Sequence, residues 1–140
     1  MNIDTNKLEE LISECIGETA KAARESYDAS KAEKTAGLFL LAQMQSSLII
    51  EQFELEAKQA KNEIDRVCAE KYLQCKEENT AKKVTENTID AFVSASKEVI
   101  EAKSNAAKAE SRLRKWLFIS NSLKDGIIYF RNIGKSNGSF

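Results

Sequence analysis

The feature of this 140-residue sequence that most restricts its fold is a regular apolar seam near the C-terminus. Spacings of three and four residues alternate without a slip over ten positions, and nine of the ten residues are apolar. Such spacings place side chains on one face of an α-helix, so the seam predicts a long helix that packs against other helices. The ten positions are Val99, Ala102, Ala106, Ala109, Leu113, Trp116, Ser120, Leu123, Ile127 and Phe130.

Nothing in the composition interrupts long helices. The chain has no proline and only five glycines, while alanine, lysine, glutamate and leucine are abundant. These four residues are strong helix formers, and proline is the residue that breaks helix interiors. The expected fold is therefore all-α, with long helices in an elongated helical bundle or coiled-coil arrangement, assembled as an oligomer.

The sequence predicts one helical domain over residues 1–133 and a disordered tail over 134–140. The helices are expected at about 5–25, 29–77, 86–94 and 95–132. The third helix begins after Thr85, whose hydroxyl group suits a helix N-cap. Helices of roughly 50 and 38 residues would be about 75 and 57 Å long, which is long for one small domain. Because one chain would struggle to cover their apolar surfaces, we expect self-association through residues 38–50 and the broad apolar end of the last helix.

The residue types argue against an enzyme. The chain has no histidine, which is the commonest general base and the commonest transition-metal ligand. It has no glycine-rich phosphate loop, and Cys15, Cys68 and Cys75 lack metal-ligand spacing. We therefore expect no enzymatic activity, no cofactor and no metal site.

Targeting signals are also absent from the sequence pattern. No run of 18 apolar residues could form a membrane span, and the acidic N-terminus lacks the apolar core of a secretory signal. We expect a protein of the cytoplasm with no membrane partner.

Charge is distributed unevenly along the chain. Residues 1–81 contain 10 basic and 16 acidic residues, whereas residues 82–140 contain 11 basic and 6 acidic residues. The basic residues form three clusters, which are Lys58/Lys61/Arg66/Lys71, Lys82/Lys83, and Lys103/Lys108/Arg112/Arg114/Lys115. Clusters of this kind are typical of contacts with nucleic-acid phosphates. They are equally typical of solvated helix faces paired with glutamates four residues away, and both interpretations remain open.

The layout of the chain resembles a known family. Lys83, Val84, Thr85, Glu86, Ile89 and Val93 form the pattern K-V-T-E-x-x-I-x-x-x-V. A charged helix at 54–66 precedes it, and an alanine-rich helix at 101–131 with a leucine and aromatic end follows it. Over roughly residues 20–133, this arrangement resembles the small phage recombination mediators of the UvsY-like class.

The resemblance implies a non-enzymatic protein that binds single-stranded DNA as a ring-like homo-oligomer. Such a mediator helps load a RecA-like recombinase in place of single-strand-binding protein, in the cytoplasm of the host cell. It implies phosphate contacts at Lys58, Lys61 and Arg66, and charge alone adds Lys71, Lys82 and Lys83. It places the oligomer contact on the C-terminal seam, at Leu113, Trp116, Leu117, Leu123, Ile127 and Phe130.

Two other classes of function fit the same sequence. One is a helical protein–protein adaptor or a phage-encoded inhibitor of a host factor, which needs no polyanion contact. The other is a structural coiled-coil scaffold, which assembles without DNA or a specific partner.

Overall fold

The computed structural model of the protein describes residues 5–80 and 83–137, and every regular element in these ranges is an α-helix. The elements are α1 (Asn6–Arg24), α2 (Ala29–Glu78), α3 (Glu86–Ala95) and α4 (Lys97–Asn137). The all-α class predicted from the sequence is therefore confirmed.

The C-terminal end of α4 differs from the sequence prediction. The helix continues through residues 134–137, which were expected to belong to a disordered tail. Gly134 is buried, and a Cβ built on it would lie 3.4 Å from Cγ of Glu33 and 3.7 Å from the carbonyl oxygen of Ala29. The last turns of α4 thus pack closely against the first turns of α2, which the sequence pattern did not indicate.

The chain divides into two compact units, which are described separately. We call residues 1–51 with 115–140 the terminal unit, and residues 52–114 the middle unit. Both α2 and α4 contribute residues to each unit.

The terminal unit has an aromatic core. Phe130 is fully buried, and its ring centroid lies 5.3 Å from those of both Tyr27 and Phe39. Tyr27 lies in the link between α1 and α2, where its hydroxyl donates to Oε2 of Glu18 at 2.5 Å and shares a 2.8 Å hydrogen bond with Thr35. Burial raises the pKa of Tyr27, while the hydrogen bond from Tyr27 lowers the pKa of Glu18. This link therefore joins the two helices through both packing and hydrogen bonds.

The middle unit is built on the apolar seams of α2 and α4. Val67, Val99 and Ala102 form a buried cluster, with Ile64, Cys68 and Val93 packed against it. The small seam residues allow the two helices to approach closely. The short α3 begins where the sequence predicts, because the Thr85 hydroxyl oxygen accepts a hydrogen bond from the Thr88 backbone N–H at 3.3 Å.

Candidate nucleic-acid interface

Among the described residues of the middle unit, three ion pairs join α2 to α4. The partner numbers run in opposite directions along the two helices, as expected for antiparallel neighbours. The pairs are Glu56 with Arg112 at 3.7 Å, Lys61 with Glu110 at 3.9 Å, and Lys71 with Glu98 at 3.3 Å. These contacts between α2 and α4 use basic and acidic groups that the sequence alone leaves unassigned.

Several groups stabilise the charged form of the Glu98 carboxylate. It lies in the first turn of α4, where its own backbone N–H, the Ser96 hydroxyl at 2.8 Å and the Lys71 ammonium all favour the charged form. Together they lower the pKa of Glu98 to about 2. The carboxylate thus stays ionised at neutral pH and holds Lys71 in place.

Three of the predicted phosphate contacts already have carboxylate partners. Arg66 contacts both Glu63 and Glu70 within α2, and these contacts raise the pKa of its guanidinium group above the ordinary value. Lys61 and Lys71 belong to the ion pairs between α2 and α4. A phosphate that binds any of these three cations must therefore compete with a carboxylate.

The remaining predicted contacts are less constrained. Lys58 and Lys83 are exposed and have no ion pair within the described ranges 5–80 and 83–137. Glu54 lies four residues before Lys58, but the two form no ion pair in the described part of the chain. Lys82 lies outside the described residues.

The structure does not bring the predicted contacts of α2 onto one face. The Lys71 side chain is only 18% exposed and lies on the seam side, seven residues after Ile64. The Arg66 side chain is 56% exposed, as expected for a position between the seam residues. Helix α2 of the middle unit therefore offers no continuous row of unpaired cations.

Helix α4 has a larger number of unpaired cations within the middle unit. Between residues 97 and 114 it has five basic and three acidic residues, and two of the three acids, Glu98 and Glu110, face lysines of α2. The basic residues left exposed and without an ion pair in the described part of the chain are Lys97, Lys103, Lys108 and Arg114. With 3.6 residues per turn, Lys103 and Arg114 share one side of α4, and Lys97 and Lys108 share another side about 120° away. We call these four residues together the α4 basic face.

Part of the α4 basic face can be recognised from the sequence alone. Lys103 and Lys108 have no acidic residue three or four positions away in either direction, so no carboxylate on α4 itself can pair with them. Arg114 has Glu110 four residues before it, and only the structure shows Glu110 directed to Lys61 instead. Spacing alone identifies Lys103 and Lys108, and packing between helices identifies Arg114. Lys97 has Glu101 four residues after it but forms no ion pair with it in the described part of the chain.

A second feature is an apolar groove in the terminal unit, with a volume of about 680 Å³. We call it the α1–α4 groove. Ile12, Cys15 and Ile16 of α1 line one side, Phe118, Leu123 and Tyr129 of α4 line the other, and Phe39 of α2 also contributes. Asp125 is the one charged residue among its described lining residues.

Burial, followed by the nearby Glu14 charge, raises the pKa of Cys15 to about 11, so this thiol stays protonated and unreactive at neutral pH.

The predicted oligomer contacts are mostly occupied inside the chain. Trp116, Leu123, Ile127 and Phe130 are at most 5% exposed. Leu113 is half-buried, and only Leu117 is substantially exposed, at 40%. The seam therefore supplies the core of the single chain along most of its length.

Comparison with known proteins finds no matching family model, no matching curated protein and no matching solved structure. No helix among the described residues is long and apolar enough to span a membrane. The same residues hold no cluster of three or more side chains suited to bind a metal ion.

Proposed function

We propose that this protein binds single-stranded DNA without catalysing a reaction and acts as a recombination mediator. In this role it helps load a RecA-like recombinase onto DNA in place of single-strand-binding protein, and it works as a homo-oligomer. The phosphate-binding step is supported by the charges of the middle unit, and the mediator step by the resemblance of residues 83–93.

The observation that carries the proposal is the α4 basic face. Four exposed cations follow one helix, and none has a carboxylate to satisfy it within the described residues. Lys103 and Lys108 are five residues apart, or about 7.5 Å along the helix axis, and Arg114 follows about 9 Å further. Lys103 and Lys108 also lie about 140° apart around the helix, so they can contact successive phosphates of a flexible strand that crosses the exposed side of α4. Lys58 and Lys83 add exposed charge in the same unit.

Several residues of the family-like motif at 83–93 have structural roles in the protein. Thr85 caps α3, Ile89 is buried, and Val93 packs on the cluster around Val67. These residues thus shape α3 and its packing. Lys83, the first residue of the motif, is exposed and free to contact a phosphate.

Fluorescence anisotropy with a labelled oligothymidylate tests the DNA-binding step. We expect K103E/K108E to weaken binding at least tenfold, because it reverses two unpaired charges. K61E/R66E should weaken it less, because Lys61 and Arg66 are already paired with glutamates. K7E/K34E is the control, since it changes the net charge equally but lies in the terminal unit. Absence of binding at low salt, or equal binding by K103E/K108E and wild type, would sink the proposal.

Recombinase loading tests the mediator step separately. DNA coated with single-strand-binding protein should acquire a RecA-like recombinase faster when this protein is added, and K103E/K108E should not accelerate loading. Binding of DNA without any acceleration would leave a DNA-binding protein but exclude the mediator role.

A helical adaptor is the second candidate function. The specific observation that favours it is the α1–α4 groove, which exposes apolar side chains such as Ile16 and Phe118, at 64% and 73%. A pull-down that recovers one host protein through this groove, from a sample free of nucleic acid, would favour the adaptor over the mediator.

A further inference from the structure

Residues 35–50 of α2 carry no charge, although part of this segment faces solvent. Leu41, Met44 and Leu48 are spaced by three and four residues and are 46%, 62% and 66% exposed. They form one apolar strip on the surface of the terminal unit, which we call the α2 ridge. Among the described residues, nine of the twelve exposed large apolar side chains lie in the terminal unit, so exposure of this kind is concentrated there.

The ridge and the α1–α4 groove are on opposite sides of α2. Phe39 lines the groove. With 3.6 residues per turn, Met44 lies about 140° around the helix from Phe39, and Leu48 about 180°. A chain therefore cannot place its own ridge in its own groove, whereas a second copy of the chain can bring its ridge there.

The two surfaces are compatible in length, and both carry little charge. The ridge from Leu41 to Leu48 is about 10 Å long, and the α1 wall of the groove from Ile12 to Ala23 is about 16 Å long. The ridge is uncharged, and Asp125 is the one charge among the described lining residues of the groove. An uncharged helix face can enter this groove without burying an unpaired charge of its own, whereas a typical charged amphipathic partner brings charge to the rim.

We propose that the α2 ridge of one copy docks into the α1–α4 groove of the next copy. This contact is head-to-tail, since each copy offers a different surface to each neighbour. Contacts of this type close into rings or extend into filaments. This contact specifies how the homo-oligomer of the proposed function would assemble. It rests on that homo-oligomer and not on DNA binding. It places the contact on exposed residues instead of the largely buried C-terminal seam.

Mass measurement by light scattering on the full-length chain tests this contact. M44E/L48E disables the ridge, and I16E/F118E disables the groove; all four side chains are at least 62% exposed, so folding should be retained. Leu73→Glu is the matched control, because Leu73 is 59% exposed and lies in the middle unit. Wild type and the Leu73 variant should assemble at micromolar concentration, and each of the two disabled variants alone should be monomeric.

A mixture of the two disabled variants gives the sharpest outcome. One intact ridge and one intact groove remain in the mixture, so it should form dimers and nothing larger. Assembly of M44E/L48E alone, or of I16E/F118E alone, would show a contact between identical surfaces and overturn the proposal. A monomeric wild type, or a mixture that stays monomeric, would overturn it as well.

The DNA-binding proposal is tested by a different measurement, the fluorescence anisotropy of a labelled oligothymidylate. If wild type assembles as described but does not change the anisotropy of an oligothymidylate, the proposed function is wrong and the ridge-in-groove contact stands. If M44E/L48E is monomeric and still binds the oligonucleotide through Lys103 and Lys108, both proposals are supported.

Discussion

At the scale of single residues, Gly126 has the tightest environment among the described glycines. A Cβ built there would overlap the Cε1 and Cδ1 atoms of the Phe39 ring. Phe39 is itself 5% exposed and packs on Phe130, so its ring has little room to move. Glycine at this position allows α4 to approach the aromatic core of the terminal unit.

Replacing Gly126 by alanine should therefore destabilise the protein. We expect Gly126→Ala to lower the free energy of unfolding by about 1–3 kcal/mol through overpacking against Phe39. Gly17→Ala is the control: a Cβ there meets nothing within 4 Å, and the gain in helix propensity should raise the free energy of unfolding by about 0.5–1 kcal/mol. Urea denaturation followed by circular dichroism measures both, and equal stabilisation by the two substitutions would contradict the packing at Phe39.

The cap of α3 is a second test at the residue scale. Thr85→Ala removes the oxygen that accepts the Thr88 N–H, and should cost about 1 kcal/mol of stability. Thr5 occupies the N-cap of α1 without a side-chain capping bond, so Thr5→Ala should cost much less. If the two substitutions shifted the urea midpoint equally, the capping role of Thr85 would be disproved.

At the scale of the elements, the seam of α4 could be predicted from the sequence in full. All ten seam positions are buried or half-buried, because a regular spacing of three and four residues leaves a helix only one face to bury. The ion pairs of Lys61 and Lys71 with α4 could not be predicted, since they depend on the register between two helices. Arg114 was missed as a site residue for the same reason, because its nearby Glu110 pairs with Lys61, whereas Lys103 and Lys108 could have been identified from their spacing.

The start of α4 should make stability depend on pH. The pKa of Glu98 is about 2 in the folded protein, against an ordinary value of 4.5, because its backbone N–H, Ser96 and Lys71 favour the charged form. A lowered pKa contributes stability that is present above about pH 4.5 and is lost as the pH falls toward 2. The Glu98→Gln variant should therefore lose less unfolding free energy than wild type as the pH falls over this interval.

Urea midpoints measured between neutral pH and pH 3 check this behaviour. Wild type should lose more stability than Glu98→Gln over that interval. Glu101→Gln, in the same helix and without an ion pair in the described residues, should retain the wild-type slope. Parallel profiles for wild type and Glu98→Gln would exclude the proposed role of Glu98.

At the scale of the whole molecule, a near-neutral chain contains a local excess of unpaired positive charge. The net charge of −1 gives no indication of it, and the contrast between residues 1–81 and 82–140 gives only its approximate place. Pairing of α2 with α4 then decides which cations remain available. Likewise, the apolar content predicts self-association through residues 38–50 and the end of α4. Because Trp116 and Phe130 are buried, the seam of α4 is less accessible to a second copy than Met44 and Leu48 are.

The salt dependence of single-stranded DNA binding tests the central claim most directly. The logarithm of the binding constant should fall linearly with the logarithm of salt concentration from about 50 to 200 mM, with a slope of about −0.7 for each phosphate contacted. K103Q/K108Q should reduce the magnitude of this slope by about 1.4, while K7Q/K34Q should leave it unchanged. Binding that does not respond to salt, or the same slope for wild type and K103Q/K108Q, would contradict a phosphate-binding role for the α4 basic face.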